Sequence, residues 1–115
     1  MWNALLVLWL IGLVLFLGAC RTAPSLVRVD GDSMLPALHD GQLVFIDTLT
    51  RDFAVGDVVL VQHPSHKAPV IHRIVWIGTT TVRTRGDNND ATDAPITRSA
   101  ILGRAIGFSA PEVTR

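Results

Sequence analysis

A mainly β domain behind one N-terminal transmembrane helix is the fold class that this 115-residue sequence predicts. Three observations carry the expectation. Residues 2 to 19, from Trp2 to Ala19, hold no charged side chain, and a helix of about 20 apolar residues crosses the ~30 Å hydrocarbon layer of a bilayer. Beyond them, apolar residues come in short Val- and Ile-rich runs stopped by Gly, Pro, Asn or Asp, the pattern of strands and turns. No internal repeat, heptad or low-complexity tract interrupts that pattern.

The apolar N-terminus reads as an anchor or uncleaved signal over residues 1–20. A cleaved signal is the competing reading: Gly18 and Ala19 are small, but no Lys or Arg precedes the apolar run. Leu17-Gly18-Ala19-Cys20 also has the form of a lipoprotein processing site. A core helix this apolar is out of place in so short a chain, and every remaining route tethers or exports the domain. Arg21 and Arg28 follow the segment, and the positive-inside rule alone would keep the domain in the cytoplasm.

About 95 residues remain after the anchor, enough for one small core and not two. Ten Lys and Arg balance ten Asp and Glu, which excludes the basic footprint of a general nucleic-acid binder. One cysteine, Cys20, allows neither an intrachain disulfide nor a thiolate zinc set. His39, His63, His66 and His72 lie in separate segments without a metal-binding spacing, so neither metal nor cofactor is expected. Oligomeric state is open.

In order along the chain, residues 21–25 form a polar linker, and a β domain over residues 26–108 ends in a tail, 109–115. Leu26 to Asp30 has strand-like content and leads into Gly31-Asp32-Ser33-Met34-Leu35-Pro36, where glycine breaks the strand and Pro36 biases Leu35 away from the helical region. Gln42 to Asp47 and Val58 to Val61 read as buried strands. His63 to Pro69 holds two prolines and forms a hairpin connection. Val70 to Ile77 alternates, with Val70, His72, Ile74 and Trp76 expected on one face. Thr79 to Thr84 is the returning strand, Gly86 to Asp93 a loop, and Ile101 to Ile106 the last strand.

Taken singly, the polar residues of interest have ordinary explanations. A serine before a proline is usually a turn residue, a histidine among apolar neighbours a satisfied core group, and an aspartate-rich loop a solvated turn. Together Ser33, His72 and the carboxylates Asp87, Asp90 and Asp93 are the parts of an acyl-transfer site. A serine hydroxyl needs a base within hydrogen-bond reach, and the base needs a third group to fix its tautomer. Histidine suits the base. Lys67 is a weaker candidate, because a polar, Pro-rich loop keeps it solvated and charged.

Ser33-Met34-Leu35-Pro36 resembles the Ser-Met-x-Pro box of the type I signal peptidases. The likeness continues through Gly56-Asp57-Val58-Val59, His72-Arg73-Ile74-Val75, Gly86-Asp87-Asn88-Asn89 and Ile101-Leu102-Gly103-Arg104, in the family's order and over most of residues 27 to 107. Bacterial members have lysine before the arginine, whereas archaeal and endoplasmic-reticulum members have histidine, so His72-Arg73 is similar to the second group. The resemblance implies a small signal-peptidase-like β domain, Ser33 as nucleophile, His72 as base, and Asp93, six residues after Asp87, as the acid. Asp87 and Arg73 are then supporting residues, and the Ser33 backbone N–H is an oxyanion donor. Gly31 departs from members that carry a hydroxyl two places before the nucleophile.

By the same resemblance, the chain is a membrane-bound serine endopeptidase, single-pass in the cell membrane with its catalytic domain on the extracytoplasmic side. It would remove signal peptides from exported preproteins, prefer small residues before the cut, and have the lipid membrane as its other partner. Two alternatives stand beside this expectation: a maturation protease dedicated to one precursor, and a non-catalytic anchored β domain in which Ser33 is a turn residue and His72 belongs to the core.

Overall fold

The computed structural model describes residues 25–109. The expected anchor over 1–20, most of the 21–25 linker and all but the first residue of the 109–115 tail lie outside the described residues. Among the described residues, no helix is long and apolar enough to cross a membrane.

Seven strands form: β1 (Ser25–Arg28), β2 (Leu43–Asp47), β3 (Val58–Val61), β4 (Val70–Ile77), β5 (Thr81–Arg85), β6 (Ile96–Thr97) and β7 (Ile101–Phe108). They make one antiparallel sheet in the order β1-β2-β7-β3-β4-β5-β6. The C-terminal strand thus pairs on one side with β2 and on the other with β3, closing the N-terminal pair onto the meander of β3 to β6.

Curling gives the sheet two apolar clusters. Val29, Met34, Leu38, Val44, Ile46, Leu60 and Ile71 form one, and Phe53, Val59, Val61, Ile74, Val82, Ile96 and Ile101 form the other. Leu60 points into the first while Val59 and Val61 point into the second, so β3 is covered on both faces and its sequence is an unbroken Val-Val-Leu-Val. Each fully buried Val, Leu, Ile or Met contributes about 1.5–3 kcal/mol of transfer free energy.

Several details differ from the sequence expectation. Trp76 does not share the face of Ile74: the β4–β5 register shifts between Ile74 and Trp76, and the indole is 48% exposed. A bulge adds one residue to one strand and so ends strict alternation. Strand β5 runs Thr81–Arg85, later than the Thr79–Thr84 expected, because the Gly78 N–H donates to the Thr81 carbonyl and turns the chain first. The two-residue β6 and the 3-10 turn Arg98–Ala100 were not expected at all, and β7 continues two residues past Ile106.

Candidate active site

Ser33 sits in the connection between β1 and β2. The strand breaks at Gly31, whose φ of 84° lies in the left-handed region that favours glycine. Its N–H donates to Asp40 Oδ1 at 2.8 Å, the Leu35 N–H to the Asp32 carbonyl at 3.2 Å, and the Leu38 N–H to the Met34 carbonyl at 2.9 Å. Met34 and Leu38 are buried in the first cluster. Two apolar side chains one turn apart therefore hold the segment down, and half-buried Ser33 stays accessible beside them.

The loop after β5 grips this turn from the other side. Asn88 donates its N–H to the Ser33 carbonyl at 2.8 Å and its Nδ2 to the Asp32 carbonyl at 3.1 Å, while the Asp87 N–H points at Met34 Sδ at 3.5 Å. Gly86 makes the approach possible. A Cβ there would lie 2.6 Å from the Ser33 carbonyl oxygen and 3.0 Å from Ser33 Cβ.

His72 belongs to β4, opposite Val59, and is 6% exposed. Arg73 pairs with Arg85, the last residue of β5, so Gly86 lies one residue past the end of that pairing. The Ser33 turn therefore packs just past the end of β5, against the loop that leads from Arg85 toward Asp93.

His72 Nδ1 is 2.6 Å from Asp93 Oδ2. The same oxygen accepts a hydrogen bond from Thr84 Oγ1 at 2.8 Å, and the Asp93 N–H donates to the Thr84 carbonyl at 2.8 Å. A carboxylate can only accept, so the Asp93 carboxylate holds the proton of His72 on Nδ1 and leaves the Nε2 lone pair available.

Arg73 projects the other way. Its Nε and Nη2 donate to the two oxygens of Asp87 at 2.9 and 2.8 Å, and Nη1 donates to the Gly56 carbonyl at 2.8 Å. Hydrogen bonding from Arg73 lowers the Asp87 pKa against opposing burial, helped by the charges of Arg73, Arg85 and His72. The bond to Asp87 correspondingly raises Arg73. This bidentate pair stiffens the loop that grips the serine turn.

Of the residues singled out from sequence, His72 and Asp93 meet directly, Arg73 and Asp87 meet as a separate pair, and Ser33 meets the Gly86–Asn88 backbone. Lys67 is exposed on the β3–β4 connection. Thr84 escaped the sequence reading. Its signal is the alternation of β5, where Val82 and Thr84 are buried and Arg83 and Arg85 are exposed; a hydroxyl on the core face needs a polar partner.

Beside the site runs a cleft of about 240 Å³ between Val27–Asp30 and the residues from His66 to Ile71. Both walls end in unpaired backbone. Strand β1 is the sheet's first strand, and β4 pairs with β5 only from Arg73 onward.

Residues 2–105 match the model of the signal peptidase family, peptidase S26. The chain belongs to that family. A signal peptidase complex catalytic subunit, sec11, from Dictyostelium discoideum is 34% identical over 110 residues, covering 84% of this chain and 60% of the relative. The catalytic subunit SEC11C from Homo sapiens is 28% identical over 120 residues, 92% of this chain and 60% of that protein. The chain thus spans about three fifths of the length of these curated relatives. For this signal peptidase family member, the matched range contains Ser33, His72 and Asp93.

Proposed function

We propose that the chain is a membrane-bound serine endopeptidase that cleaves signal peptides from preproteins, with Ser33 as nucleophile, His72 as general base and Asp93 as the group that orients the base. The observation that carries this is the 2.6 Å hydrogen bond between His72 and Asp93, with the Ser33 turn packed on Gly86 just past the end of β5. Family membership and the relatives' names, which give them as catalytic subunits of a signal peptidase complex, support it further.

In the reaction, Ser33 Oγ attacks the scissile carbonyl carbon as its proton passes to His72 Nε2. The Ser33 N–H stabilises the resulting oxyanion. Collapse of the tetrahedral intermediate expels the amine, which takes the proton back from Nε2, and leaves an acyl ester on Ser33. Water, deprotonated by His72, then releases the carboxylate and restores the serine. Asp93 stays ionised and stabilises the imidazolium at each step.

The substrate lies extended in the cleft beside Val29 and Ile71, adding a strand between two unpaired edges, with small residues before the cut. Residues 1–20 anchor the enzyme as a single span with the catalytic domain on the extracytoplasmic side. Exposed Leu26 and Phe45, paired across β1 and β2, suit a place at the membrane surface. Partner subunits are proposed on the likeness to the complex subunits alone.

The test is incubation of the full chain, in detergent micelles, with several unrelated preproteins, followed by sequencing of the new N-termini. Cleavage at the end of the signal peptide, abolished by Ser33→Ala, is expected. Cleavage that survives Ser33→Ala, or no cleavage by the unaltered chain, overturns the proposal; processing of one precursor alone makes the enzyme a dedicated maturation protease.

A further inference from the structure

We propose that His63 is a positioning residue that links the wall of the peptide cleft to the Asp93 carboxylate; this deepens the peptidase function proposed above and rests on it. His63 lies in the β3–β4 connection, half-buried. Its Nδ1 is 3.2 Å from the Ser65 N–H nitrogen and 2.7 Å from Ser65 Oγ, and its Nε2 is 3.3 Å from the Ala94 carbonyl oxygen. A backbone N–H can only donate and a carbonyl can only accept. The neutral ring with its proton on Nε2 is the form that satisfies all three contacts.

Ala94 immediately follows Asp93. On the near side of the carboxylate, the Asp93 N–H is held by the Thr84 carbonyl at 2.8 Å; on the far side, His63 holds the Ala94 carbonyl. Ile96, buried in the second apolar cluster, anchors the chain beyond. The fold therefore does not depend on His63, but the orientation of the segment carrying Asp93 does.

The same connection also walls the cleft, through residues 66 to 69. Two hydrogen bonds tie it together internally: the His66 N–H donates to the His63 carbonyl at 3.0 Å and Gln62 Nε2 donates to the His66 carbonyl at 3.0 Å. A peptide pressed against His66 and Lys67 is thereby transmitted through His63 to Asp93, and from Asp93 to the His72 ring. Cleft occupancy and the alignment of the base are coupled.

The test compares H63A and H63Q with the unaltered full chain in detergent micelles. Two readouts are taken: steady-state cleavage of a preprotein, and the low-field proton resonance of the His72 Nδ1–H bonded to Asp93. H63A is expected to lower kcat about tenfold with KM within about twofold, to shift or broaden the resonance, and to leave the melting temperature nearly unchanged. H63Q places an amide N–H within reach of the Ala94 carbonyl and is expected to recover most of both signals. An H63A chain with unchanged kcat and resonance, one altered in KM alone, or an H63Q chain no better than H63A overturns the coupling. Should the unaltered chain cleave nothing, the peptidase function fails while the resonance comparison still decides the role of His63.

Discussion

The serine turn comes down on Gly86 just past the end of β5, and a Cβ on Gly86 would stand 2.6 Å from the Ser33 carbonyl oxygen. That oxygen is already engaged by the Asn88 N–H at 2.8 Å. Gly86→Ala forces a methyl group against the Ser33 backbone carbonyl, so the turn must shift. Overpacking of this kind costs about 1–3 kcal/mol, and a displacement near 1 Å at a reacting group costs on the order of 10²-fold in rate. Urea unfolding should show the modest loss and preprotein cleavage the large one; equal, small effects on both would mean that the serine turn has no need of this contact.

Thr84 separates polar support from packing. Thr84→Val keeps the shape and removes the hydroxyl that donates to Asp93 Oδ2. The carboxylate keeps its bond to His72 but gains freedom to rotate about it. A net contribution near 1 kcal/mol for such a hydrogen bond corresponds to about a fivefold fall in kcat, with KM unchanged. Ser at the same position retains the hydroxyl and should restore the rate while lowering the melting temperature through the lost methyl group.

The Arg73–Asp87 pair gives a pH signature on the acid side. The folded pKa of Asp87 lies below its ordinary value of 3.8, chiefly through hydrogen bonds from Arg73. A depressed carboxylate contributes stability that is present above the unfolded pKa and is lost as pH falls through the folded one. The Arg73 side chain is 34% exposed, so screening limits the contribution to about 1 kcal/mol. Melting temperatures of the unaltered chain and Asp87→Asn should differ by a constant amount above about pH 5 and converge below about pH 4. A gap that widens toward acid would contradict the pairing.

Strands β3 and β4 were legible because their runs, Val58–Val61 and Val70–Ile77, are β-branched and bounded by turn residues on both sides. Strand β6 was not, since Ile96–Thr97 gains its strand geometry only by pairing with Thr81 and Val82, and two residues carry no periodicity. The exposure of Trp76 depends on a bulge, which is a property of the β4–β5 pair and not of either strand. At the candidate site, Asp87, Asp90 and Asp93 are equivalent in composition. What separates them is tertiary: Arg73 and His72 are neighbours on one strand with side chains on opposite faces, so Asp87 meets one and Asp93 the other. Resemblance named Asp93, whereas composition left the choice open.

Replacing Asp93 with Asn isolates charge from geometry. In the native site one oxygen, Oδ2, receives both His72 Nδ1–H and Thr84 Oγ1–H. An asparagine oxygen in that place preserves both hydrogen bonds, and with them the fold and the tautomer of the base. It lacks the negative charge that stabilises an imidazolium formed during attack. If the amide instead turns its nitrogen toward His72, Nδ1 becomes the acceptor, the proton moves to Nε2, and the ring can no longer take one from Ser33. Either orientation lowers kcat; the corresponding aspartate-to-asparagine change in a serine protease triad costs about 10⁴-fold, and about 10³-fold is expected where the tautomer survives. Retention of the low-field His72 resonance would identify the first orientation and its disappearance the second. A variant that cleaves preproteins within about threefold of the unaltered rate would remove Asp93 from the mechanism.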